Sequence, residues 1–339
     1  MTRALPRTGF NRDLLALLGN TPVARLDGYW AKLECISVGG MKARAAMSML
    51  LGARARGELR PGQSVVESTS GTMGIGLAFA GHVLGHPVVL VADRELERGV
   101  RTLLRAYGAR VEIVDTPDPV GGWQQARRDR VELLRGSAYW PDQYHNPDNP
   151  AGYVGMAREL VDQVEHADVV VCSVGTGGHS AGLAAELRRW WPQVRFVGVD
   201  TVGSTIFGQP ARPRLARGLG SSIFPDNVAY DCFSEVHWVG AAEAAQTCRR
   251  LAREYFVSGG WSTGCVARVA AWVARVEPGS RVAAIFPDGP HRYLDTIFDD
   301  DYCAAHGLLG SVADHPVEIA DPAVEISGWA RCTTAERPR

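Results

Sequence analysis

Lys42 has an unusual setting, "ISVGGMKARAAM", in which two glycines and a methionine precede it and small helix-forming residues follow it. Gly39 and Gly40 allow the backbone to fold tightly around a bound group, and the small residues predict that a helix begins close to the lysine. A surface lysine needs no such enclosure, and an exposed amine is mostly protonated at neutral pH. A lysine that acts as a nucleophile or a base needs burial, because burial lowers its pKa. The alternative is a surface lysine at the start of a helix.

The turn from Gly175 to His179 has the composition of an anion site. It lies in "VVVCSVGTGGHSAGLAAELRR", directly after a predicted strand and directly before a predicted helix. Glycines allow several backbone N–H groups to converge, and the start of a helix adds the positive end of its dipole, so the combination can hold a phosphate. The turn matches neither a Walker loop nor a GxGxxG fingerprint. A tight strand-to-helix turn without a ligand is the alternative.

Two further turns are rich in small and hydroxyl residues. "ESTSGTMGIGLA" (67–78) again joins a predicted strand to a helix, and "SGGWSTG" (258–264) opens another helix. The first turn could cradle a carboxylate, although Ser68, Thr69 or Ser70 could instead cap the helix. Three such turns and the enclosed Lys42 together predict a site for a phosphorylated cofactor and an amino-acid carboxylate.

Alternating strands and helices are predicted to position these turns. The strand-length runs are apolar on both faces, as parallel strands covered by helices require. The predicted strands are 64–68, 86–93, 109–115, 167–174, 194–200 and 281–288. Their clusters indicate two α/β lobes with a break near "WPDQYHNPDNPAGY" (140–153). The chain from about Ala304 is expected to be loop-like.

Composition and charge exclude several classes of function. The 339 residues carry a formal net charge of −1, which favours neither nucleic-acid binding nor a polybasic membrane patch. No run approaches the roughly 20 apolar residues of a membrane span, and the N-terminus does not resemble a signal peptide. The seven cysteines include no CxxC pair and are interpreted as reduced thiols of a cytoplasmic protein. The histidines show no metal-binding spacing, so no metal is expected.

Eight motifs occur in one order along the chain, from about Leu15 to Phe298. They are "LLGNTPVARL", "AKLE", "GGMKARAA", "ESTSGTMGIGLA", "DQYHNPDNP", "VGTGGHSAG", "GGWSTG" and "FPDGPHRYLDT". In this order and spacing the sequence resembles the cysteine synthase and cystathionine β-synthase family, fold type II enzymes that depend on pyridoxal 5'-phosphate.

The resemblance implies an α/β fold of the tryptophan synthase β type, with two open, twisted, mostly parallel lobes and the cofactor between them. It places a mobile, substrate-binding N-terminal lobe at 35–145 and a tail at 304–339. The C-terminal lobe, which would hold the cofactor phosphate, is expected at 13–34 plus 146–303. Family members are usually homodimers, so a homodimer acting on small amino-acid substrates is expected.

Residue roles follow from the matching positions of the family's motifs. Lys42 would form the covalent link to the cofactor and, once released, take the α-proton of the substrate. The implied cofactor-binding residues are Lys42, Thr72, Gly175, Thr176, Gly177, Gly178, His179 and Ser262. The implied substrate-binding residues are Ser68, Thr69, Ser70, Gly71, Gln143 and Tyr144.

Several positions depart from the family's pattern around the cofactor. Thr72 stands where the family usually has an asparagine, and His179 replaces the usual last threonine of the phosphate turn. Gly289 falls where a serine often meets the pyridine nitrogen, so Ser262, Asp288 or a water would supply that contact. These departures favour a specialised member of the family over housekeeping cysteine synthesis.

The longer stretches "YGARVEIVDTPDPVGGW", "GVDTVGSTIFG" and "PDGPHRYLD" look most like a branch that condenses O-phosphoserine with an amine donor such as glutamate. The predicted reaction is β-replacement on O-phosphoserine or O-acetylserine through an aminoacrylate, with a sulfur or amine nucleophile. Arg212, Arg214 and Arg217 crowd the loop "ARPRLARGLGSS" (211–222) and are candidates for binding a phosphate leaving group, with Arg217 foremost. A solvated basic loop is the alternative.

Two other functions stay open at this point. A lyase on the same scaffold would release pyruvate and ammonia from cysteine or a cysteine conjugate. Water access decides between the two, and Trp261, an extra residue in "SGGWSTG", favours a closed pocket. A non-catalytic relative that acts as a binding partner is the second alternative, and the presence of Lys42 argues against it.

Overall fold

The computed structural model describes residues 12–69 and 71–333. Within them the chain forms two β-sheets, one of eight strands and one of three, with helices packed on their faces. The predicted substrate residue Ser70 lies outside the described residues. The predicted α/β class and mostly parallel sheets are confirmed.

The elements follow one another in the alternation that the sequence predicts. The strands are β1 (Val23–Leu26), β2 (Tyr29–Lys32), β3 (Val65–Ser68), β4 (Val88–Asp93), β5 (Arg110–Val114), β6 (Val169–Ser173), β7 (Arg195–Thr201), β8 (Phe233–Val239), β9 (Val282–Ile285), β10 (Val317–Glu318) and β11 (Ala330–Cys332). The helices are α1 (Lys42–Ala55), α2 (Thr72–Leu84), α3 (Arg98–Ala106), α4 (Gly122–Leu134), α5 (Asp148–Ala151), α6 (Val154–Val164), α7 (Gly178–Trp190), α8 (Ala241–Tyr255), α9 (Trp261–Val276) and α10 (Asp300–Ala305). Short 3-10 helices occupy Arg12–Leu17, Glu34–Ile36, Tyr230–Cys232 and Pro290–Arg292.

The large sheet has the order β1-β2-β9-β6-β7-β8-β11-β10. Its five central strands, β2, β9, β6, β7 and β8, run parallel, whereas β1 and β11 run antiparallel to their central neighbours. Every residue of β6, "VVVCS", is buried. Its continuous apolar run is explained by this position, because the elements on either side cover a central parallel strand completely.

The small sheet, β3-β4-β5, is parallel throughout. Helices α2 and α4 pack against β3 and β4, so β3 is buried along its whole length. All three strands fall within 35–145, the segment expected to form the N-terminal lobe. The division into lobes stays a prediction.

Three parts of the large sheet were not predicted: the antiparallel pair β1 and β2, strand β8, and the strands β10 and β11. β8, "FSEVHWV", lacks a continuous apolar run because Glu235 and His237 interrupt it, yet both are buried and bonded. Glu235 accepts a hydrogen bond from Arg331, and His237 accepts one from the indole N–H of Trp329. The chain after Ala304 was expected to be loop-like, and most of it is, but it also contributes the short strands β10 and β11, which extend the sheet beyond β8.

The fold brings the starts of three helices together. β3 and β6 end at the turns that open α2 and α7, as parallel strands in α/β folds commonly do. α1 packs against α2, and the short α5 packs against both α1 and α7. Among the described residues, every helix is too short or too polar to cross a membrane.

Candidate active site

Lys42 is the first residue of α1 and is largely buried. Gly39 and Gly40 precede it with φ values of 69° and 58°, which other residues rarely adopt, and the N–H of Met41 donates to the carbonyl of Pro287 at 2.8 Å. Burial lowers the pKa of Lys42 to about 8, although the nearby carboxylate of Asp288 acts to raise it. The lysine is therefore enclosed, and the alternative of a surface lysine is excluded.

The turn between β6 and α7 lies opposite this amine. Nζ of Lys42 is 3.5 Å from Oγ1 of Thr176, at the limit of a hydrogen bond. Gly177 has a φ of 81°, and a side chain at position 178 would overlap the amide of Asn149. The glycines are therefore required for the backbone of this turn, and the first N–H groups of α7 point into it without intrahelical partners.

His179 adds an unused polar atom next to this turn. Its ring is buried and packs edge-on against Tyr153, and its Nε2 has no hydrogen-bond partner among the described residues. Burial, with a smaller contribution from Lys42, lowers the pKa of His179 to about 3. The imidazole is thus neutral, and Nε2 can serve as a donor or an acceptor for a ligand.

The loop after β3 caps a helix, as one of the two interpretations made from its sequence predicts, and its role in binding a carboxylate stays a prediction. Oγ1 of Thr69 accepts the N–H groups of Gly71 at 2.9 Å and Gly74 at 3.1 Å, so this hydroxyl does satisfy the start of α2. Thr69 also lines the same pocket as Lys42. Ser68 is buried, and its carbonyl accepts the side-chain amide of Gln143 at 3.1 Å.

Glu67 and Asn149 hold Gln143 in position, and sequence reasoning missed both. The buried carboxylate of Glu67 accepts the N–H of Gln143 at 3.1 Å and the indole N–H of Trp140 at 3.1 Å. Burial raises the pKa of Glu67 to about 7. Nδ2 of Asn149 donates to the carbonyl of Gln143 at 2.7 Å and to Oγ1 of Thr176 at 3.2 Å. Asn149 therefore links the backbone at Gln143 to the glycine-rich turn, residues 175–179.

Asp288, which also lines the pocket, accepts hydrogen bonds from three hydroxyl groups. It accepts hydrogen bonds from Thr72 at 3.0 Å, Ser262 at 3.2 Å and the phenol of Tyr293 at 2.6 Å. Ser262 and Asp288 were two of the three alternatives, beside a water, for a contact with the pyridine nitrogen, and both lie together in the lining. Gly289 allows a close approach of the backbone, since a side chain there would lie 2.7 Å from the carbonyl of Cys35.

Arg292 is a further pocket residue that the sequence did not reveal. It is buried and donates to Oγ1 of Thr72 at 2.8 Å and to Glu97 at 3.2 Å. Its guanidinium lies directly on the backbone of Gly71, where any side chain would overlap it. "PHRY" carries no local signal for this role, because the partners of the arginine are about 200 residues away in the chain.

One pocket contains most of the predicted residues. Those that line it are Lys42, Thr69, Thr72, Gln143, Tyr144, Gly175, Thr176 and Ser262. Ser68, Gly177, Gly178 and His179 adjoin these residues in the chain. Arg217 precedes the lining residue Gly218 but pairs with the side chain and the backbone carbonyl of Glu95.

The residues of the pocket fit the predicted cofactor. A phosphate requires free N–H groups and a close backbone approach, and the glycine-rich turn offers both beside the unused Nε2 of His179. An aldehyde requires a lysine that can lose its proton near neutral pH, and Lys42 meets that condition. A flat ring between them would face Thr72, Ser262 and Asp288.

Comparisons with known proteins agree over most of the chain. The family model described as pyridoxal-phosphate dependent enzyme matches residues 14–288. N-(2-amino-2-carboxyethyl)-L-glutamate synthase of Cupriavidus metallidurans is 37% identical over 311 residues, 86% of this chain and 91% of that protein. The enzyme of the same name from Ralstonia nicotianae is 34% identical over 93% of this chain and 97% of its own. The structure of an O-acetylserine dependent cystathionine β-synthase from Helicobacter pylori has a TM-score of 0.77 and 28% identity, covering 84% of this chain and 97% of that one.

Proposed function

The chain belongs to the pyridoxal-phosphate-dependent enzyme family, and we propose that it replaces the phosphate of O-phospho-L-serine by the amine of L-glutamate. The family and the relatives support β-replacement on an O-activated L-serine with pyridoxal 5'-phosphate as cofactor. The choice of glutamate rests on the activity named for two relatives, and the choice of phosphate on the sequence resemblance. The observation that carries the proposal is the enclosed amine of Lys42 opposite the glycine-rich turn.

The proposed cofactor residues surround this amine. Gly175, Thr176, Gly177 and Gly178 would hold the phosphate with backbone N–H groups, and His179 would add its free Nε2. Lys42 would carry the covalent link, and Thr72 and Ser262 would face the ring. The bound cofactor supplies an electron-withdrawing ring, which acidifies the α-carbon of the amino acid and allows the β-substituent to leave.

Lys42 would move the proton in the first half of the reaction. With a pKa near 8 rather than 10.5, the amine is neutral in a substantial fraction of molecules at physiological pH. A neutral Nζ can accept the α-proton of a bound amino acid and return it later. Trp261, which precedes the lining residue Ser262, is buried, and we expect it to restrict the access of water.

The substrate carboxylate would lie at the loop after β3. Thr69 and Gly71 would face it there, Ser70 is included from the sequence alone, and the buried guanidinium of Arg292 lies against the backbone of Gly71. Gln143 and Tyr144 complete that side, with Ser68 held by the amide of Gln143. In the net reaction the C–O bond to phosphate breaks, a C–N bond to glutamate forms, and a proton is released.

The test is a product analysis with matched substrates. The purified protein is supplied with pyridoxal 5'-phosphate and incubated with O-phosphoserine or O-acetylserine, each with L-glutamate or sulfide. We expect N-(2-amino-2-carboxyethyl)-L-glutamate from O-phosphoserine and glutamate, identified by mass spectrometry. Pyruvate as the main product would instead indicate the lyase. Borohydride labelling of a residue other than Lys42 would contradict the proposed site.

The cellular setting and assembly are proposed on separate grounds. All seven cysteines are buried thiols, which suits a reducing compartment, so we place the protein in the cytoplasm. The family resemblance supports a homodimer. Light scattering of the holoenzyme at several concentrations tests the assembly, and a constant monomer mass would contradict it.

A further inference from the structure

The three arginines of the 211–222 loop have different partners. Arg212 pairs with Glu325 at 2.8 Å and also donates to the carbonyl of Ile326. Arg217 pairs with Glu95. Arg214 donates to neutral oxygens, namely the carbonyls of Gly203 at 2.9 Å and Ser221 at 3.3 Å and the hydroxyl of Ser222 at 3.2 Å.

Arg214 is therefore a cation without a close counter-ion. No carboxylate of the described residues lies within 4.0 Å of its guanidinium, although the residue is partly buried. The acid that acts on it most is Asp200, which is buried beneath Gly220. Burial raises the pKa of Asp200 to about 7, and its Oδ2 has no partner among the described residues, so it is a poor permanent counter-ion.

The position of Arg214 connects it to the pocket. Its partner Ser221 follows Gly220, which lines the pocket of Lys42. The phenol of the lining residue Tyr144 lies within electrostatic range of the guanidinium. Helix α4 holds the loop in place, because Gln124 accepts the N–H of Ser222 at 3.2 Å.

The other arginines near Tyr144 are already neutralised. Arg127 pairs with the buried carboxylate of Asp93. Arg128 lies 3.3 Å from Asp142 and over the ring of Trp140. Among the described arginines near Tyr144, Arg214 is thus the one without a carboxylate in contact.

We propose that Arg214, rather than Arg217, binds an anionic oxygen group of a substrate at the mouth of the pocket, the edge next to the lining residue Gly220. The group is either the phosphate that leaves O-phosphoserine or a carboxylate of the incoming glutamate. This assignment rests on the proposed function for the identity of the substrates. A guanidinium suits both groups, since its planar fork matches phosphate and carboxylate oxygens.

The experiment compares Arg214→Gln with Arg217→Gln and Arg212→Gln in the holoenzyme. For the first substrate, O-phosphoserine is compared with O-acetylserine, and for the second, L-glutamate is compared with L-glutamine. We expect Arg214→Gln to raise KM at least tenfold for O-phosphoserine if the group is phosphate, or for glutamate if it is a side-chain carboxylate. The neutral analogue of the affected substrate should change less than threefold, and Arg214→Lys should recover part of the loss.

Direct binding separates this inference from the proposed function. Calorimetry measures the affinity of the holoenzyme for inorganic phosphate and for L-glutamate, with the melting temperature of each variant as a folding control. If the wild type binds one of these anions and Arg214→Gln weakens that binding tenfold, the inference stands even when no product forms. If both anions bind the variant as they bind the wild type, or if Arg217→Gln has the larger effect, the inference is wrong.

Discussion

Two lysines ten residues apart, Lys32 and Lys42, show how the molecule treats buried charge in two regions. Lys32, at the end of β2, lies in a buried ion cluster with Glu34, Arg44 and Glu159. Its Nζ is 2.7 Å from Glu159, and Arg44 pairs with both Glu34 and Glu159 at 2.8 Å. Lys42 has no carboxylate within 4.0 Å among the described residues, and its Nζ lies 3.5 Å from the hydroxyl of Thr176.

The difference separates a structural role from a chemical one. Burial lowers the pKa of both lysines, but Glu159 and Glu34 oppose that lowering for Lys32, whereas Lys42 has only the more distant Asp288 to offset its burial. The ion cluster contains two cations and two anions and so is neutral as a unit. A paired charge holds the fold, and an unpaired amine remains available for reaction.

The largest effect is expected from Lys42→Ala. Product formation should fall by about 10⁴-fold or more, because the nucleophile and base is removed, while the variant still folds. Mass spectrometry of the product and a thermal melt of the apo-protein measure the two quantities. A variant that keeps a tenth of the activity would remove the distinction between the two lysines.

Lys32→Met should affect stability instead. Removal of one partner from a buried ion pair costs about 3–5 kcal/mol of unfolding free energy. Denaturant titration measures this loss, and activity per folded molecule should stay within a few-fold of the wild type. The double variant Lys32→Met/Glu159→Gln restores neutrality, so it should recover part of the lost stability; no recovery would mean that charge pairing is not the cause.

Asp288→Asn should change the pH dependence of Lys42. The neutral amine is the reactive form, so the rate at which the apo-protein captures pyridoxal 5'-phosphate should rise with pH through a midpoint near 8. The carboxylate of Asp288 raises the pKa of Lys42, and its removal should move the midpoint to lower pH. Glu97→Gln alters a pair with Arg292 and should leave the midpoint unchanged. A midpoint that rises in Asp288→Asn would contradict this electrostatic account.

Thr69→Val should give the smallest effect on stability. Loss of the hydroxyl that accepts the N–H groups of Gly71 and Gly74 costs about 1 kcal/mol of unfolding free energy, as for other helix caps. Thr69→Ser keeps the hydroxyl and should lie within about 0.5 kcal/mol of the wild type. Equal destabilisation by both variants would show that the methyl group, not the cap, supports this loop.

Local patterns in the sequence predicted the parts of the site that depend on local backbone. The enclosure of Lys42 follows from the adjacent glycines, and the turn at 175–179 follows from its position between a strand and a helix. The roles of Arg292 and Asn149 could not be predicted, because they depend on partners brought together only by folding. The same holds for β8, whose polar residues are bonded by the distant Arg331 and Trp329.

The three arginines of the 211–222 loop show most directly what the sequence alone could not predict. In the sequence they share the same surroundings, and nothing distinguishes Arg214 from Arg217. Their difference arises from Glu95 and Glu325, which reach the loop from elsewhere in the chain and occupy Arg217 and Arg212. Contacts with residues distant in the chain therefore leave Arg214 as the arginine of this loop without a carboxylate partner among the described residues.

The strand pair at 317–332 has a consequence for synthesis on the ribosome. Arg212 is anchored by Glu325, which lies 113 positions later in the chain, and Gln209 is anchored by the carbonyl of Val324 at 2.9 Å. At roughly 5–20 residues per second, translation needs on the order of ten seconds to cover that interval. The segments 39–42 and 175–179 therefore leave the exit tunnel well before the 211–222 loop can contact Glu325. This loop, at the edge of the pocket, is the last part of the site to take its final shape.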